Sequence, residues 1–120
     1  MPVNSNPVWD PTAVLQSGVV ADYAATSGAT SIAAGGTAQQ LCAANEIVHG
    51  FYVENPLTAA EQGISTAELL YVDWIGTAGT SSGTAVHLQP GDTLTLNAAP
   101  SGAVTVYAVS TGHKFTAFIW

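Results

Sequence analysis

Basic residues are almost absent from this chain. Lys114 is its only lysine, it has no arginine, and eight acidic residues set the formal net charge at −7 over 120 residues. A protein that binds nucleic acid neutralises phosphates with several lysine or arginine side chains. The composition therefore argues against nucleic acid as a direct partner.

Charges of either sign are also scarce, at 8 % of the residues, where an ordinary soluble domain has roughly a quarter. Small neutral side chains must fill most solvent-facing positions, and such a surface loses little hydration when another protein covers it. We expect a subunit of a permanent assembly that also associates with itself, as a homotrimer. The alternative is a free monomer kept soluble by threonine, serine and the net negative charge.

Long hydrophobic runs and cysteine pairs are missing too. No segment is long and apolar enough to cross a membrane, so we expect no membrane partner. Residues 1–7 lack the positive charge and the apolar run of a secretory signal. The single Cys42 cannot form an internal disulfide, which fits folding in a reducing cytoplasm, and we expect its side chain to be buried.

Helical periodicity is rare, and from about Ala29 onward short β-favouring segments alternate with turns that contain glycine or proline. The length suits one domain with one core. We therefore predict an all-β fold of seven or eight strands, a small antiparallel β-sandwich or jelly-roll-like barrel over residues 29–120. The predicted strands cover residues 30–34, 38–42, 51–54, 69–75, 84–87, 93–96, 104–109 and 115–120.

Turn residues support this prediction. The Gly35-Gly36 pair is expected to close a hairpin between the first two strands. The Pro90-Gly91 pair suits the centre of a type II turn, and the Thr111-Gly112 pair would close a hairpin into the last strand. Only residues 57–63 look able to form a helical turn.

Residues 1–28 follow a different pattern, because their prolines prevent regular strand pairing while their apolar residues are too many for a solvated tail. Two interpretations are open: the segment wraps its own sandwich, or it is an extended N-terminal arm that docks on a neighbouring subunit. We expect the arm. The candidate interaction residues are Val3, Val8, Trp9, Val14 and Leu15 in the arm, and Phe118 and Trp120 in the last strand.

Residues 79–83, Gly-Thr-Ser-Ser-Gly, match the G-x-S-x-G pattern that carries the nucleophilic serine of many hydrolases. That pattern works only where a strand turns sharply into a helix, whereas residues 84–87 continue as a strand. A flexible hairpin tip explains the same letters. We therefore predict no catalytic residue and no enzymatic activity.

Metal ligands are not indicated either. The histidines lie singly on different strands or strand ends, without the spacing of a metal-binding pair, and we interpret them as edge or interface residues. Three carboxylates could meet around a calcium ion, but no alternating run of aspartate or asparagine forms a calcium loop. We expect no metal and no cofactor. The histidines are His49, His87 and His113, and the carboxylates are Glu54, Asp73 and Asp92.

Tyrosines on neighbouring strands offer an alternative function. Tyr52, Tyr71 and Tyr107 can face solvent, as in sandwiches that stack aromatic rings on sugars, while Trp74 and Trp120 stand where the core needs bulk. Aromatic residues are equally favoured as interface anchors. A carbohydrate-binding module is therefore a second candidate.

Five segments carry a resemblance to one group of proteins. They are Ala-Gly-Gly-Thr-Ala-Gln-Gln-Leu at 34–41, Gly-Phe-Tyr-Val-Glu-Asn-Pro at 50–56, Leu-Tyr-Val at 70–72, Leu-Gln-Pro-Gly-Asp at 88–92, and the β-rich stretch 102–117. Together they resemble small virion structural proteins of tailed bacteriophages over residues 30–120. Residues 57–67 are longer than the usual connection in that group, and the N-terminal arm has no counterpart there.

The resemblance implies a non-catalytic virion protein that is made in the host cytoplasm. The function it implies is that of a head decoration (cement) protein on the capsid exterior, which ties neighbouring capsomers together. Its partners would be the major capsid protein and further copies of itself. The alternatives are a small tail, fibre or baseplate component and a carbohydrate-binding module for host attachment.

Overall fold

The computed structural model describes residues 28–47 and 49–120. Within these residues the protein is almost entirely β, with eight strands and one helical turn, and every strand overlaps a segment that the sequence predicts. The strands are β1 (Gly28–Ser31), β2 (Gln39–Cys42), β3 (Phe51–Glu54), β4 (Leu70–Asp73), β5 (Val86–Leu88), β6 (Thr93–Leu96), β7 (Val104–Tyr107) and β8 (Lys114–Ile119), and the helical turn is α1 (Ala59–Gln62).

The strands form two four-stranded antiparallel sheets. Sheet 1 has the order β1-β8-β3-β6 and sheet 2 the order β2-β7-β4-β5. Because side chains alternate between the two faces of a strand, each sheet turns one set inward, and the two sets join in a single hydrophobic core. This β-sandwich-like arrangement confirms the all-β, antiparallel part of the predicted fold class. Core residues at 0 % exposure include Phe51, Val53, Leu70, Val72, Val104 and Val106.

The thiol of Cys42 lies in this core. The residue is 4 % exposed, which confirms the prediction that its side chain is buried. Burial raises the pKa of the Cys42 thiol. The side chain therefore behaves as a small apolar residue that packs at the end of β2.

The Gly35-Gly36 turn does not close a hairpin, so that prediction is wrong. The turn carries the chain from β1 in sheet 1 to β2 in sheet 2. It packs on the segment after β7, where Gly36 N–H donates to Ala108 O at 2.9 Å and Gly35 N–H donates to the Thr111 hydroxyl at 2.9 Å. β1 and β2 therefore cover the core from opposite sides. A glycine pair indicates a turn, but it does not determine whether the next strand joins the same sheet.

The Thr111-Gly112 turn likewise joins two sheets, so the predicted hairpin into the last strand is also wrong. β7 pairs with β2 and β4, whereas β8 pairs with β1 and β3. The Pro90-Gly91 turn is confirmed as type II, because its glycine has φ 91° and Asp92 N–H donates to Gln89 O at 2.9 Å. The sequence therefore predicts the turns themselves better than it predicts the strands they join.

Residues 57–63 contain the predicted helical turn, α1. Thr58 and Glu61 cap its start through a reciprocal pair of hydrogen bonds, and Gly63 ends it in the left-handed conformation at φ 73°. The turn buries Gln62, its last residue. In the part of the chain that the structure describes, no helix is long and apolar enough to span a membrane.

Gly35→Ala should destabilise the protein by about 2 kcal/mol. A Cβ atom at position 35 would collide with the backbone oxygen of Val109 and the backbone nitrogen of Thr111, and backbone atoms cannot move aside cheaply. Gly83→Ala is the matched control, because nothing lies within 4 Å of a Cβ atom there. Urea unfolding measures both variants. Equal stability of the two would contradict the tight packing described for this turn.

Candidate functional site

Five polar side chains meet inside one end of the sandwich and are named here the polar core cluster. They lie after β3, in α1, before β4 and in the turn between β7 and β8. Three of them are completely buried, at 0 % exposure: Asn55, Gln62 and His113. The other two members are Glu68 and Ser110.

Asn55 uses its full side-chain hydrogen-bonding capacity within this cluster. Its Nδ2 donates to the backbone oxygens of Glu68 and Leu88, both at 2.9 Å. Its Oδ1 lies 2.8 Å from His113 Nε2 and accepts from Gln62 Nε2 at 3.1 Å. Because both hydrogens of the amide nitrogen meet carbonyl oxygens, the orientation of the amide is fixed. Asn55 therefore connects the ends of β3, β4, β5 and β8.

His113 has an oxygen atom at each ring nitrogen. Nε2 faces Asn55 Oδ1, and Nδ1 lies 2.9 Å from Glu68 Oε2. Since the Asn55 oxygen can only accept, Nε2 must donate to it. The contact at Nδ1 is a second donated bond when that nitrogen also carries a proton. The His113 ring is therefore held between Asn55 on one side and the Glu68 carboxylate on the other.

Glu68 gathers further hydrogen bonds on its carboxylate. The backbone N–H of Ser110 donates to Oε2 at 2.9 Å, and the Ser110 hydroxyl donates to Oε1 at 2.8 Å. Burial alone would raise the pKa of Glu68, but the hydrogen bonds from His113 and Ser110 outweigh it and hold that pKa below its usual range. The carboxyl group is thereby kept ionised beside His113.

The polar core cluster fastens the loops at one end of the sandwich, and its histidine is not open to solvent. Both ring nitrogens of His113 are taken up by neighbouring side chains, so the interpretation of this residue as an edge or interface histidine is wrong. Gln62 ties α1 into the cluster, because its Nε2 donates to Pro56 O at 2.8 Å and its Oε1 accepts from Glu68 N–H at 3.0 Å. The arrangement therefore joins these loops to one another through hydrogen bonds.

A fully buried carboxylate, Asp73, orders the loop between β4 and β5. Its Oδ1 accepts from the backbone N–H groups of Ile75 at 2.9 Å and Gly76 at 2.7 Å. Its Oδ2 accepts from the hydroxyls of Ser82 at 2.6 Å and Thr84 at 2.7 Å. Burial alone would raise the pKa of Asp73, but these hydrogen bonds outweigh it and lower that pKa to about 2.

The G-x-S-x-G match at residues 79–83 lies in this same loop. Ser81 is exposed, and the neighbouring Ser82 is the serine whose hydroxyl Asp73 holds. β4 and β5 are antiparallel neighbours, so the loop connects a hairpin and does not lead into a helix. The interpretation of these residues as a hairpin tip is confirmed.

Among the described residues, no three histidine, cysteine or carboxylate side chains gather closely enough to hold a metal ion. The carboxylates considered for calcium stay apart, since Glu54 lies on the outer face of sheet 1, Asp73 is enclosed by its own loop and Asp92 lies in the type II turn. His49 and His87 are both exposed. The structure therefore brings none of these candidate ligands together.

Aromatic side chains pair on the outer faces of both sheets. On sheet 1 the rings of Tyr52 and Phe118 have centroids 5.8 Å apart, and both residues are partly exposed. On sheet 2 Tyr71 lies edge-on to Tyr107 at 5.5 Å and to His87 at 4.6 Å. Tyr71 is only 8 % exposed, so the idea that the three tyrosines face solvent together is wrong.

The structure describes two of the residues predicted to mediate interaction. Phe118 packs against Tyr52 on the outer face of sheet 1. Trp120 is partly exposed, and its backbone N–H donates to Gly50 O at 3.0 Å. The others lie outside the described residues, and the N-terminal arm therefore stays a prediction. These are Val3, Val8, Trp9, Val14 and Leu15.

Most members of the polar core cluster are not predicted by the sequence patterns above. A usable signal lies in the alternation of β4, where Leu70 and Val72 face the core and Glu68 stands two residues earlier on the same face. A polar residue on an inward-facing position is costly unless it finds a partner. Continuing the inward-facing series of β3, β4 and β8 by two residues beyond the strand would therefore have reached Asn55, Glu68 and His113.

Comparison with known proteins identifies no matching family, no matching curated protein and no matching solved structure. The resemblance to bacteriophage virion proteins is therefore carried by the sequence segments alone. The function proposed below depends on that resemblance and on the geometry of this chain.

Proposed function

We propose that the protein is a structural virion protein that decorates the outer surface of a bacteriophage capsid and stabilises neighbouring capsomers. The observation that carries this proposal is a β-sandwich-like domain whose buried polar groups bond one another beneath a surface with few charges. Such a domain is held together internally, and its exterior is left for contacts with other protein. In this proposal the arm that reaches a neighbouring subunit is the segment predicted as residues 1–28, shortened to 1–27 because Gly28 pairs with Ala117 in sheet 1.

We also propose that the fold is a jelly roll. The two strand orders place the first strand beside the last, and the chain crosses repeatedly between the sheets. An eight-stranded double sheet built from two Greek keys has this form, and it recurs in viral capsid proteins and in lectin domains. The strand order thus supports a virion function and, less specifically, sugar binding.

The surface supports an assembly function as well. Among the described residues, three large apolar side chains are exposed, namely Leu57 at 65 %, Ile75 at 74 % and Val109 at 62 %. Covering apolar and neutral groups requires little desolvation of charge. With Lys114 as the only basic residue, the surface suits contacts with capsid protein on the outside of the head better than contacts with packaged DNA.

Cryo-electron microscopy of purified particles tests this proposal. The expected result is density for the two-sheet domain on the outer surface of the head, where capsomers meet. Density in the tail would favour a small tail, fibre or baseplate component instead. Absence of the protein from purified particles would contradict a virion function altogether.

The Tyr52–Phe118 pair favours carbohydrate binding as the second candidate function, because it presents two partly exposed rings side by side on a sheet face. Binding of the purified protein to immobilised glycans tests this candidate. Signal that disappears in Tyr52→Ala but persists in Tyr107→Ala, on the opposite sheet, would support a sugar site at this pair. Lack of binding to any glycan would leave the decoration function as the proposal.

A further inference from the structure

Among the described strands, β6 forms one edge of sheet 1 and pairs along one side only, with β3. One hydrogen bond, donated by Asn55 N–H to Asp92 O at 3.0 Å, shows which residues of β6 turn their backbone groups toward β3. In an antiparallel ladder, pairs of residues that exchange backbone hydrogen bonds alternate with pairs that do not. Counting by twos from Asp92, the backbone groups of Leu94 and Leu96 therefore also bond to β3. Thr93 and Thr95 therefore direct their backbone N–H and C=O groups away from the sheet.

β6 is short, but it lacks the charges, prolines and bulges that protect many edge strands from pairing. β6 reads Thr-Leu-Thr-Leu, with no charge and no proline, and its register with β3 is regular. By contrast, β2 carries a register shift between Gln40 and Cys42, and β5 is only three residues long. β6 is therefore better suited than either of these edges to accept a further strand.

Apolar side chains border the same edge. The two leucines of β6 are partly exposed and pack against the core on their inner side. Leu57, at 65 % exposure, lies beside Gly91 in the turn that leads into β6. A strand added here would cover apolar surface while it bonds the outward backbone groups of Thr93 and Thr95.

We propose that the protein self-associates through β6, which pairs antiparallel with β6 of a second copy. In the register that we assign, Thr95 faces Thr95 of the second copy on the twofold axis. Leu94 then faces Leu96 of the second copy, and the reverse pair forms on the other side of the axis. The apolar inner layer of sheet 1 thereby continues across the interface, and each Asp92 lies opposite Ala98, away from the other Asp92.

A second copy suits this edge because β6 is complementary to itself. A twofold axis brings threonine to threonine and leucine to leucine, as an isologous interface requires. The pairing also joins two chains of net charge −7 at a segment that carries no charge. The product is one continuous sheet across a dimer, with two copies per assembly where the composition leads us to expect three.

The short strand limits the strength of this pairing. Stable interfaces bury more than about 1,000 Å², and a four-residue edge with its flanking side chains buries less. We therefore expect a dissociation constant on the order of 100 µM in solution. Copies held side by side on a surface would pair more completely, because their local concentration is higher.

Engineered disulfides test the register directly. In Thr95→Cys the two new thiols face each other across the twofold axis at a Cα separation of about 5.5 Å, which a disulfide spans. In Thr93→Cys, the matched control on the same strand and face, the thiols are four positions out of register and about 14 Å apart. Cys42 is buried and does not compete. Mild oxidation of the full chain at several hundred micromolar should therefore cross-link Thr95→Cys at least tenfold more than Thr93→Cys.

Equal cross-linking of the two variants, or none in either, would overturn the proposal. Sedimentation of the unmodified chain gives an independent test. Its mass should rise from 12.2 kDa toward twice that value as concentration increases. Thr95→Lys should stay monomeric, because two lysines would face each other, whereas Gln40→Lys on the exposed edge of β2 should dimerise like the unmodified chain. A monomer or a trimer in place of the dimer, or a dimer that survives Thr95→Lys, would rule out pairing through β6.

Discussion

Replacing Asn55 by alanine should lower the free energy of unfolding by about 3–5 kcal/mol. The substitution leaves the Leu88 carbonyl oxygen and His113 Nε2 without the partners they have at 2.9 and 2.8 Å. Each buried group that loses its hydrogen bond costs about 1–3 kcal/mol. Urea unfolding followed by circular dichroism measures the loss.

Asn97→Ala is the matched control for this experiment. Asn97 is exposed immediately after β6, so removing its amide should change stability by less than about 0.5 kcal/mol. If Asn55→Ala cost no more than this control, the polar core cluster would not hold the end of the sandwich together. A large loss at position 55 alone would locate the stabilisation in the cluster.

Acid should weaken the fold, and Asp73 should account for a large part of the loss. The pKa of this carboxyl falls from 3.8 to about 2 on folding. A lowered pKa means that the carboxylate contributes stability that is present above the unfolded-state pKa and is lost as the pH falls through the folded-state pKa. The stability at stake is about 2 kcal/mol, lost between about pH 4 and pH 2. Glu68, whose pKa is also lowered, acts in the same direction.

Asp73→Asn should remove this part of the pH dependence and lower stability at neutral pH by about 2–3 kcal/mol, because an amide nitrogen cannot accept a hydrogen bond. Urea unfolding at a series of pH values between 7 and 2 measures both effects. Ser82→Ala and Ser81→Ala form a matched pair. Ser82→Ala removes the 2.6 Å hydrogen bond to Asp73 and should make stability depend less steeply on pH. Ser81→Ala changes an exposed serine and should leave that dependence unchanged. Identical curves for the two serine variants would contradict this account.

The positions of the strands are predictable from the sequence because they depend on local alternation. Phe51 and Val53 face the core from β3, and the strand ends where Pro56 removes a donor from the ladder. The sheet that each strand joins is not a local property. Gly35-Gly36 and Thr111-Gly112 have the residues of hairpin turns, yet both cross between sheets, because burying one core from two sides decides the pairing.

The polar core cluster was predictable in one respect and not in another. Asn55 continues the inward series of Phe51 and Val53, and His113 precedes Phe115 in the inward series of β8, so the burial of both follows from alternation. Their contact does not follow, because 58 positions separate them along the chain. Only the assembled sandwich brings β3 and β8 side by side and so joins the two side chains.

The link between Asn55 and His113 has a consequence for how the strands align as the protein folds. A shift of one residue in the pairing of β3 with β8 would turn apolar side chains outward, so the hydrophobic pattern already excludes it. A shift of two residues would keep them inside, but it would move the two polar groups about 7 Å relative to each other. Their 2.8 Å contact would break and leave both unpaired in the core. The cluster therefore discriminates between alignments that the apolar residues alone would accept.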